Sequence, residues 1–454
     1  MVNAVAKYQK YAEYKDSGVE WLGEIPSHWA SKPLKYLCTY NDDVLSETTS
    51  KDSEIQYVDI GSVSAVDGIS HIETMVFKDA PSRARRVVKD GDVIVSTVRT
   101  YLEAIAPIDN PPENLIVSTG FAVIRPNNEL YKGFASYCLR AKGFIKEVVA
   151  RSVGVSYPAI NSSELVNIVI PSLDFKEQTQ IANFLDHETA KIDSLIEKQQ
   201  KLIELLKEKR QAVISHAVTK GLNPDVPMKD SGVECLGRVP EHWEIPRLKQ
   251  LVRYGSSISY GIVQPGDALE EGVPFIQTTN ISKGSFKLED FQKTSASIES
   301  NYPRSRLEGG EVILGIRASI GAAFVVPMSF KGVNLSRGIA RILPIDFLSS
   351  DFLVWYFKSN AVDQYWGLSK QGSTFSEVSI ETVKELNVVI PPIKEQEAIS
   401  EFLLIQSDKF NNLIEAATSQ KQLLLERRTA LISSVVTGKI DVRHWQNPQR
   451  DFAV

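Results

Sequence analysis

The sequence is poor in cysteine and has no long apolar run. Its three cysteines, Cys38, Cys138 and Cys235, are spaced neither for a metal site nor for a disulfide framework. This usage is typical of a reducing compartment, so a cytoplasmic protein is expected. No stretch approaches the roughly 18 apolar residues of a membrane span, and residues 1–18 lack the apolar core of a signal peptide. We therefore expect no membrane partner.

Catalytic motifs are also missing. The sequence contains no P-loop, no Gly-x-Ser-x-Gly segment and no paired carboxylates, and its six histidines lack metal-ligand spacing. The segment DNPP at Asp109–Pro112 resembles the Asn-Pro-Pro-aromatic run with which amino-methyltransferases hold a flipped base. Here Glu113 stands where the aromatic ring is needed, and no Gly-rich cofactor loop precedes it. We expect a surface turn there, and neither a catalytic residue nor a metal ligand elsewhere.

The bulk composition is that of an ordinary globular protein. Apolar residues make up 43% of the 454 positions and charged residues 24%, and a chain of this length is expected to form two or three domains. The net charge of −5 argues against wholesale coating of nucleic acid. It leaves room for a local basic face, because phosphate contacts depend on patches of charge.

What the sequence does contain is a duplication. KDSGVEWLGEIPSHW at Lys15–Trp29 returns as KDSGVECLGRVPEHW at Lys229–Trp243, identical at 11 of 15 positions. Three shorter segments recur in the same order: GDVIVSTVR as GEVILGIR, STGFAVIRP as SRGIARILP, and NIVIPSLDFKEQ as NVVIPPIKEQ. The chain is therefore two copies of one unit of roughly 215 residues. His28 and His242 occupy equivalent places in the first repeat, and we expect them to pack or to hydrogen-bond there.

Each copy ends in a long helical pattern. Residues 176–220 contain neither Pro nor Gly, and they match residues 394–438 at 19 of 45 positions without a gap. Apolar residues recur at alternating steps of three and four, as in the seam of a coiled coil. We expect the two helices to pack on each other through Ile181, Leu185, Ile192, Leu195, Leu202, Leu206 and Val213 of the first and Ile399, Leu403, Phe410, Leu413, Leu424 and Leu431 of the second.

Short β signals and amphipathic helices fill the rest of each copy. Strands are predicted at Ile55–Ile60, Val93–Val98, Phe121–Ile124 and Asn167–Ile170, and at Pro274–Ile276, Val312–Ile316, Ile339–Leu343 and Asn387–Ile390. Helices are predicted at Tyr131–Val149 and Phe347–Tyr365. The domain plan is 1–175, a helix 176–220, a linker and second domain 221–393, a helix 394–438 and a tail 439–454.

Arginines gather around one predicted strand of each copy. Arg99 follows GDVIVSTV and Arg317 follows GEVILGI, and we take these two arginines as equivalent. Guanidinium groups suit bidentate contact with phosphate or with a guanine edge, and polar side chains can contact other bases. The candidate DNA-binding residues are Arg83, Arg85, Arg86, Arg99 and Tyr101 in the first copy and Gln277, Thr278, Asn280, Arg304, Arg306, Arg317 and Arg337 in the second.

Taken in order and twice over, these motifs resemble the specificity (S) subunit of type I restriction–modification systems. The resemblance covers nearly the whole chain. It rests on the Leu-Gly-x-x-Pro-x-His-Trp opening of each half, the Gly-Asp/Glu-Val-Ile strand with its downstream Arg, and the Lys-Glu-Gln that leads into Phe-Leu on the long helix. The implied α+β fold has two α/β target-recognition domains in tandem, each followed by a long helix. The two helices would form an antiparallel coiled coil that sets the distance between the parts of the DNA site.

The resemblance also implies a function. Each domain would recognise one part of a split, asymmetric site in double-stranded DNA, without catalytic activity and without a cofactor in this chain. Two modification subunits, which bind S-adenosylmethionine, and later restriction subunits would assemble on it. Two other interpretations stay open. One is a self-contained DNA methyltransferase, against which the missing cofactor loop counts; the other is a coiled-coil protein-interaction scaffold without a DNA role.

Overall fold

The chain folds into two compact units. The computed structural model describes residues 8–46, 48–66, 68–283, 287–369 and 377–447. The first unit takes the described residues up to Gln199 and those from Ser419 onwards, and the second spans Gln200–Thr418. Both boundaries fall inside a long helix. Each unit therefore combines one globular domain with the start of one long helix and the end of the other.

Among the residues that the structure describes, the first unit contains two four-stranded sheets, three two-stranded sheets and several short helices. Its strands are β1 Tyr14–Asp16, β2 Glu24–Pro26, β3 Ala30–Pro33, β4 Cys38–Tyr40, β5 Glu54–Val58, β6 Val63–Ser64, β7 Gly68–Ile69, β8 Glu73–Val76, β9 Ala84–Val87, β10 Val93–Ser96, β11 Ile105–Pro107, β12 Leu115–Ser118, β13 Phe121–Pro126 and β14 Val169–Ser172. Its helices are α1 Lys132–Leu139, α2 Lys142–Ala150, α3 Ser162–Leu165 and the start of α4 Phe175–Lys220.

The central sheet of the first unit is buried on both faces. It is antiparallel, in the order β11-β10-β13-β4, and a second sheet in the order β8-β5-β12-β9 lies next to it. In β10, Val93 and Val95 join the core formed with the helices, while Ile94 joins the core formed with the second sheet. Because side chains alternate along a strand, both faces must be apolar. This explains the unbroken apolar run from Val93 to Val95.

The second unit repeats this plan with changes at its edges. Its strands are β15 Met228–Asp230, β16 Arg238–Pro240, β17 Ser259–Tyr260, β18 Val273–Ile276, β19 Gln292–Thr294, β20 Val312–Gly315, β21 Ala323–Val325, β22 Asn334–Leu335 and β23 Ile339–Ile342. Its helices are α5 Thr278–Lys283, α6 Ala296–Glu299, α7 Ser350–Phe357, α8 Asn360–Ser369, α9 Ile380–Glu385 and α10 Ile393–Val436, together with the end of α4. The sheets have the orders β17-β23-β20-β21 and β19-β18-β22.

Three sequence predictions differ in detail from the structure. The single helices predicted at Tyr131–Val149 and Phe347–Tyr365 are each two helices, α1 with α2 and α7 with α8, because the chain turns after Leu139 and after Phe357. The strand predicted at Asn387–Ile390 is not formed, because only isolated bridges to Arg247 and Glu244 are made there.

The Lys-Glu-Gln segment attaches the first domain to its own helix. Glu177 is buried near the start of α4. Its carboxylate accepts hydrogen bonds from the Tyr11 hydroxyl at 2.7 Å and the Trp29 indole at 3.2 Å, and His28 Nε2 lies 2.9 Å away. Burial and the hydrogen bond to this carboxylate raise the pKa of Tyr11. The repeated His-Trp pair therefore has a hydrogen-bonding role.

The second domain is attached in the same way. The Trp243 indole donates to Glu395 at 3.2 Å, and His242 Nε2 lies 3.0 Å from the same carboxylate. Gln178 and Gln396 make a matching second pair of contacts. The side-chain carbonyl of Gln178 accepts from the Tyr131 amide at 2.7 Å, and that of Gln396 accepts from the Ser349 amide at 2.8 Å. These contacts explain why Glu and Gln recur together.

Each domain also holds the end of the other copy's helix. Gly438, just beyond α10, lies against the first domain: a Cβ added there would be 2.3 Å from Pro26 Cδ and 3.0 Å from Trp29 Cζ3. Gly221, just beyond α4, lies against Trp243 in the same manner. Both glycines have positive φ, 71° and 78°, which ends the helix without strain. Within each unit, the start of one helix thus lies beside the end of the other.

Polar contacts join the two helices inside each unit. In the first unit, Arg428 Nε donates to Asp193 Oδ1 at 2.7 Å. In the second, Arg210 Nη1 donates to Asn411 Oδ1 at 2.5 Å. Residues 193 and 411 are equivalent in the repeat, and so are 210 and 428. Together with the helix ends at Trp29 and Trp243, these contacts make the pairing antiparallel in each unit.

Burial agrees with the predicted helix seam at its ends and disagrees with it near its middle. The buried members are Ile181, Leu185, Ile192, Ile399, Leu403 and Leu431, and the half-buried ones are Leu206, Val213, Phe410 and Leu424. Leu195, Leu202 and Leu413 are 45%, 44% and 53% exposed. Ile203 and Ala417 are buried instead, and Ile196 is partly buried. From Ile192 the buried stripe continues four residues on, at Ile196, and not three residues on, at Leu195. The exposed leucines therefore lie beside the stripe and not in it.

Candidate nucleic-acid interface

Two turns meet at one edge of the first domain. Thr119 and Gly120 link β12 of one sheet to β13 of the other. The Gly120 carbonyl accepts hydrogen bonds from the Thr97 amide at 2.8 Å and from the Thr97 hydroxyl at 2.9 Å. A Cβ at Gly120 would lie 2.5 Å from Ile60 Cδ1. The small residue therefore lets loops from both sheets come together at this edge.

The predicted cluster Arg83, Arg85 and Arg86 is split by the strand β9. Arg83 is exposed, and its carbonyl accepts from the Thr119 amide at 2.8 Å, so it belongs to the same edge. Arg85 stacks over the Phe77 ring at 5.0 Å. Arg86 is half-buried, burial lowers its pKa, and its Nε finds no acceptor among the residues that the structure describes. The three guanidinium groups therefore do not form one surface.

Arg99 and Tyr101 lie in the turn that follows β10, and both are exposed. Arg99 has a left-handed conformation with φ of 51°. Its guanidinium lies 5.3 Å from the centroid of the Tyr157 ring, and that ring is 68% exposed. An exposed cation–aromatic pair can contact phosphate or stack on a base. Tyr157 was not among the residues predicted from sequence, because only the fold brings it beside Arg99.

In the second domain, Gln277, Thr278 and Asn280 lie where α5 begins. The Gln277 side-chain amide donates to Gln292 at 3.0 Å. The side-chain oxygen of Asn280 accepts a hydrogen bond from the backbone N–H of Gln277 at 2.9 Å, so Asn280 shapes the local turn. A Cβ at Gly338 would lie 2.5 Å from Thr278 Cγ2 and 3.4 Å from Arg317 Cβ. Thr278 thus lies beside one of the predicted arginines.

Arg304 and Arg306 differ in their surroundings. Arg304 is exposed and lines a groove of about 580 Å³ that also contains Tyr260 and Lys384. Arg306 makes a bidentate contact with the buried Glu299, at 2.7 and 2.6 Å. The same carboxylate accepts from Asn334 Nδ2 at 2.9 Å. The structure therefore gives Arg306 a role inside the domain, and we remove it from the proposed DNA contacts.

Arg317 and Arg337 lie close to one carboxylate. Glu377 Oε2 is 3.9 Å from Arg317 Nε and 3.8 Å from Arg337 Nη2. All three side chains are partly exposed. No motif in the sequence singled out Glu377, and only the backbone pairing brings it here.

The sequence prediction that Arg99 and Arg317 are equivalent is wrong. Ile160 N donates to Thr97 O at 2.8 Å, and Val378 N donates to Ile316 O at 2.9 Å, so residues 97 and 316 correspond. The next positions, Val98 and Arg317, pair with Ala159 and Glu377. Arg99 therefore corresponds to Ala318, and both have positive φ, at 51° and 60°. Aligning the two arginines needed a gap that the backbone does not contain.

The two domains also differ in what flanks this edge. In the first, β9 runs antiparallel to β12 and places Arg83 beside Thr119. In the second, Ile262 forms a parallel bridge with Ser336, and its carbonyl accepts from the Arg337 amide at 2.9 Å. Arg337 takes the place of Thr119. The two domains thus share a scaffold but differ, at this edge, in both the flanking strand and the side chains.

Nothing in the described part of the chain supports a catalytic centre built on a metal. Across those residues, no group of three His, Cys, Asp or Glu side chains is placed to hold a metal ion. The DNPP segment is a turn, in which the Asn110 amide donates to Asp90 at 2.9 Å. In the same described residues, no helix is long and apolar enough to cross a membrane.

A duplicated scaffold with two different polar edges defines a recognition protein with two target-binding domains. The family described as type I restriction modification DNA specificity domain matches residues 26–205 and 240–425. These two matches cover most of the sequence, and the chain belongs to this family. It is a specificity subunit with two tandem target-recognition domains.

Two relatives support this assignment, and one of them matches along nearly the whole length. The chain is 26% identical over 436 residues to a putative type I restriction enzyme MjaX specificity subunit of Methanocaldococcus jannaschii, covering 93% of this chain and 96% of that protein. It is 28% identical over 262 residues to the EcoBI specificity subunit of Escherichia coli, covering 57% and 55% of the two chains.

Solved structures show the same fold. A chain from a study of complex assembly and conformational transition of the type I R-M system aligns with a TM-score of 0.68 at 24% identity, covering 92% of this chain and 99% of that one. The HsdS subunit of Thermoanaerobacter tengcongensis aligns with a TM-score of 0.52 at 23% identity, covering 92% and 98%. At these identities the likeness concerns the fold alone.

Proposed function

We propose that each domain binds one half of a bipartite, asymmetric site in double-stranded DNA. The observation that carries this is the pair of edges described above. The scaffold is the same in both domains, down to the glycine that joins the sheets, but Val98, Thr119 and Ala159 of the first correspond to Arg317, Arg337 and Glu377 of the second. Two domains with one scaffold and different polar edges suit two different half-sites.

Exposed cations and aromatic rings make these edges suitable for DNA. In the first domain, the residues proposed to contact DNA are Arg83, Arg99, Tyr101 and Tyr157. In the second domain, they are Gln277, Thr278, Arg304, Arg317 and Arg337. Guanidinium groups can contact phosphate and can form bidentate hydrogen bonds to guanine. Because phosphate contacts depend on local charge, these groups are compatible with a net charge of −5.

The helices offer matching surfaces to partner proteins. Leu195 and Leu423 are exposed in the first unit, and their equivalents Leu413 and Leu205 are exposed in the second. Apolar side chains that recur at equivalent exposed positions indicate a contact surface. Two equivalent surfaces suit two copies of one partner, which we propose to be the modification subunit.

The chemistry belongs to the partners in this proposal. S-adenosylmethionine binds to the modification subunits and not to this chain, and restriction subunits join the assembled complex. The complex acts in the cytoplasm, where the chromosomal DNA of the cell lies.

The test is methylation in cells that carry this chain with its modification subunit. Genome-wide methylation mapping is expected to find one motif with two specified parts and a gap of fixed length. The assembled complex is expected to bind duplex DNA in a salt-dependent manner. Methylation by this chain without the modification subunit, or S-adenosylmethionine binding by this chain alone, would favour a self-contained methyltransferase. A complex that binds no DNA would favour a protein scaffold.

A further inference from the structure

Glu377 lies beside two partly exposed arginines at one point of the second domain. Its Oε2 is 3.9 Å from Arg317 Nε and 3.8 Å from Arg337 Nη2. These distances are longer than a direct hydrogen bond. The carboxylate therefore attracts both groups through charge.

The backbone fixes these three residues to one another. Residues 317 and 377 form an antiparallel bridge, continued by the hydrogen bond from Val378 N to Ile316 O at 2.9 Å. The Ile316 amide donates to the Gly338 carbonyl at 2.9 Å, which ties the segment of Arg337 to that of Arg317. Three separate segments thus converge with their backbones paired. This arrangement is more rigid than an ion pair between two mobile surface side chains.

The fold does not need these charges. The equivalent positions of the first domain are Val98, Thr119 and Ala159, and the same backbone contacts form around them. The charged triad is therefore specific to the second domain.

The carboxylate indicates which part of DNA the arginines contact. The Glu377 carboxylate lowers the net charge of the triad from +2 to +1, and this weakens its attraction for a phosphate. A base edge has no net charge, so the carboxylate costs little there and orients the planar guanidinium. Among the bases, guanine offers two acceptors, N7 and O6, to an arginine in the major groove. The triad thus fits a G·C pair better than the DNA backbone.

We propose that Glu377 is a positioning residue that orients Arg317 and Arg337 for contact with guanine in the second half-site. The proposal rests on the proposed function, because it needs the second domain to bind DNA. It goes beyond that function by naming Glu377 as a residue that sets specificity and guanine as the base that is recognised.

The experiment uses the whole chain with its modification subunit and maps methylated sites in cells. Glu377→Gln keeps the size of the side chain and removes its charge. It is expected to lower the preference for G·C at one or two positions of the second half-site by about 5-fold or more, within the roughly 5- to 150-fold that one arginine contact contributes. Arg317→Ala and Arg337→Ala should lower the preference at those same positions. The first half-site and the gap should not change.

Glu385→Gln is the matched control. Glu385 also lies between two cations, 2.5 Å from Arg247 and 2.5 Å from Lys249, at the end of α9 in the same domain. This variant should keep the wild-type motif. Copurification of each variant with the modification subunit shows that the chain has folded, and Glu377→Ala provides a second variant at the same position.

Two results would overturn the proposal. An unchanged base preference in all the variants at 317, 337 and 377 would remove the triad from recognition. A uniform loss of methylation at every sequence, with no change in base preference, would assign these arginines to phosphate. Both results leave the two-part motif of the wild type intact. Failure of the proposed function is different, because the wild-type chain would then direct no two-part motif at all.

Discussion

The indole of Trp29 donates a hydrogen bond to the Glu177 carboxylate at 3.2 Å, although 148 residues separate them. Trp243 and Glu395 repeat the contact in the second unit at the same distance. These contacts join the first repeated motif of each copy to the start of its long helix. They explain why two short segments, far apart in sequence, recur together.

Removing the buried carboxylate should destabilise the first unit. In Glu177→Ala, the Tyr11 hydroxyl and the Trp29 indole lose their acceptor, and we expect a loss of about 2–4 kcal/mol in the free energy of unfolding. Glu395→Ala is the control, because the Glu395 side chain is more exposed, at 29% against 8%. Denaturant unfolding measures both. An equal or larger effect of Glu395→Ala would contradict the assigned role of burial.

The ion pair of Glu299 with Arg306 should make stability depend on pH. The hydrogen bond from Arg306 holds the pKa of Glu299 below its ordinary value of 4.5. A depressed pKa means that the carboxylate stabilises the folded state above pH 4.5, and that this contribution is lost as the pH falls through the lowered value. At pH 7, Glu299→Gln should cost about 1–3 kcal/mol.

The urea midpoint of this variant should approach that of the wild type as the pH is lowered below 4.5. Glu289→Gln is a suitable control, because Glu289 is exposed and its ion pair with Lys287 is 3.9 Å long. A constant difference between Glu299→Gln and the wild type across this range would show that charge on Glu299 is not the cause.

A half-length chain should form a homodimer. The first domain buries Ile432, Val435 and Val436 of α10, and the equivalent residues of α4, Ile214, Ala217 and Val218, are buried in the second unit. A fragment ending at residue 227 lacks α10 but keeps these α4 residues. The end of α4 from a second copy can therefore take the place of α10.

Light scattering at micromolar concentration should show a dimer. With the modification subunit, this fragment should direct methylation of a symmetric site made from the first half-site. A charge on the contact face, as in Val218→Asp, should prevent dimerisation. A soluble, folded monomer of the unchanged fragment would refute this expectation.

Much of the fold could be predicted from sequence because its main elements occur twice in the chain. The long helices have strong periodicity, and the strands around Val93 and Val312 follow a turn and are wholly apolar. The predicted seam is wrong at Leu195 because two apolar residues are possible there. From Ile192, a step of three residues reaches Leu195 and a step of four reaches Ile196. Packing against the domain selects Ile196, and periodicity alone does not contain that information.

The candidate interface could be predicted only in part. Arginine content indicated segments that the structure places at the two domain edges. The sequence match of Arg99 with Arg317 pairs identical residues, but it needs a gap that the backbone does not contain. Both Arg99 and Ala318 adopt positive φ without being glycine, so no residue type marked the turn. Glu377 and Tyr157 gave no signal, because their importance comes from neighbours that are distant in sequence.

On the proposed function, the length of the helices should set the gap between the half-sites. Four residues inserted after Gln199 and four after the equivalent Ala417 lengthen each helix by about 6 Å. Since duplex DNA rises about 3.4 Å per base pair, the gap should grow by about two base pairs. The insertion also turns the helix roughly 40° past a full turn, so some loss of affinity is expected. Methylation mapping measures the gap, and an active variant with the original gap would show that the helices do not set it.

The most direct test of recognition by separate domains is to map methylated motifs for Arg99→Ala and Arg317→Ala beside the wild type. We expect the wild type to direct one asymmetric motif in two parts. Arg99→Ala should weaken or relax only one part, and Arg317→Ala only the other, each by about 1–3 kcal/mol if the arginine contacts a base. A continuous motif, or a change in both parts caused by either substitution, would contradict the assignment of one half-site to each domain.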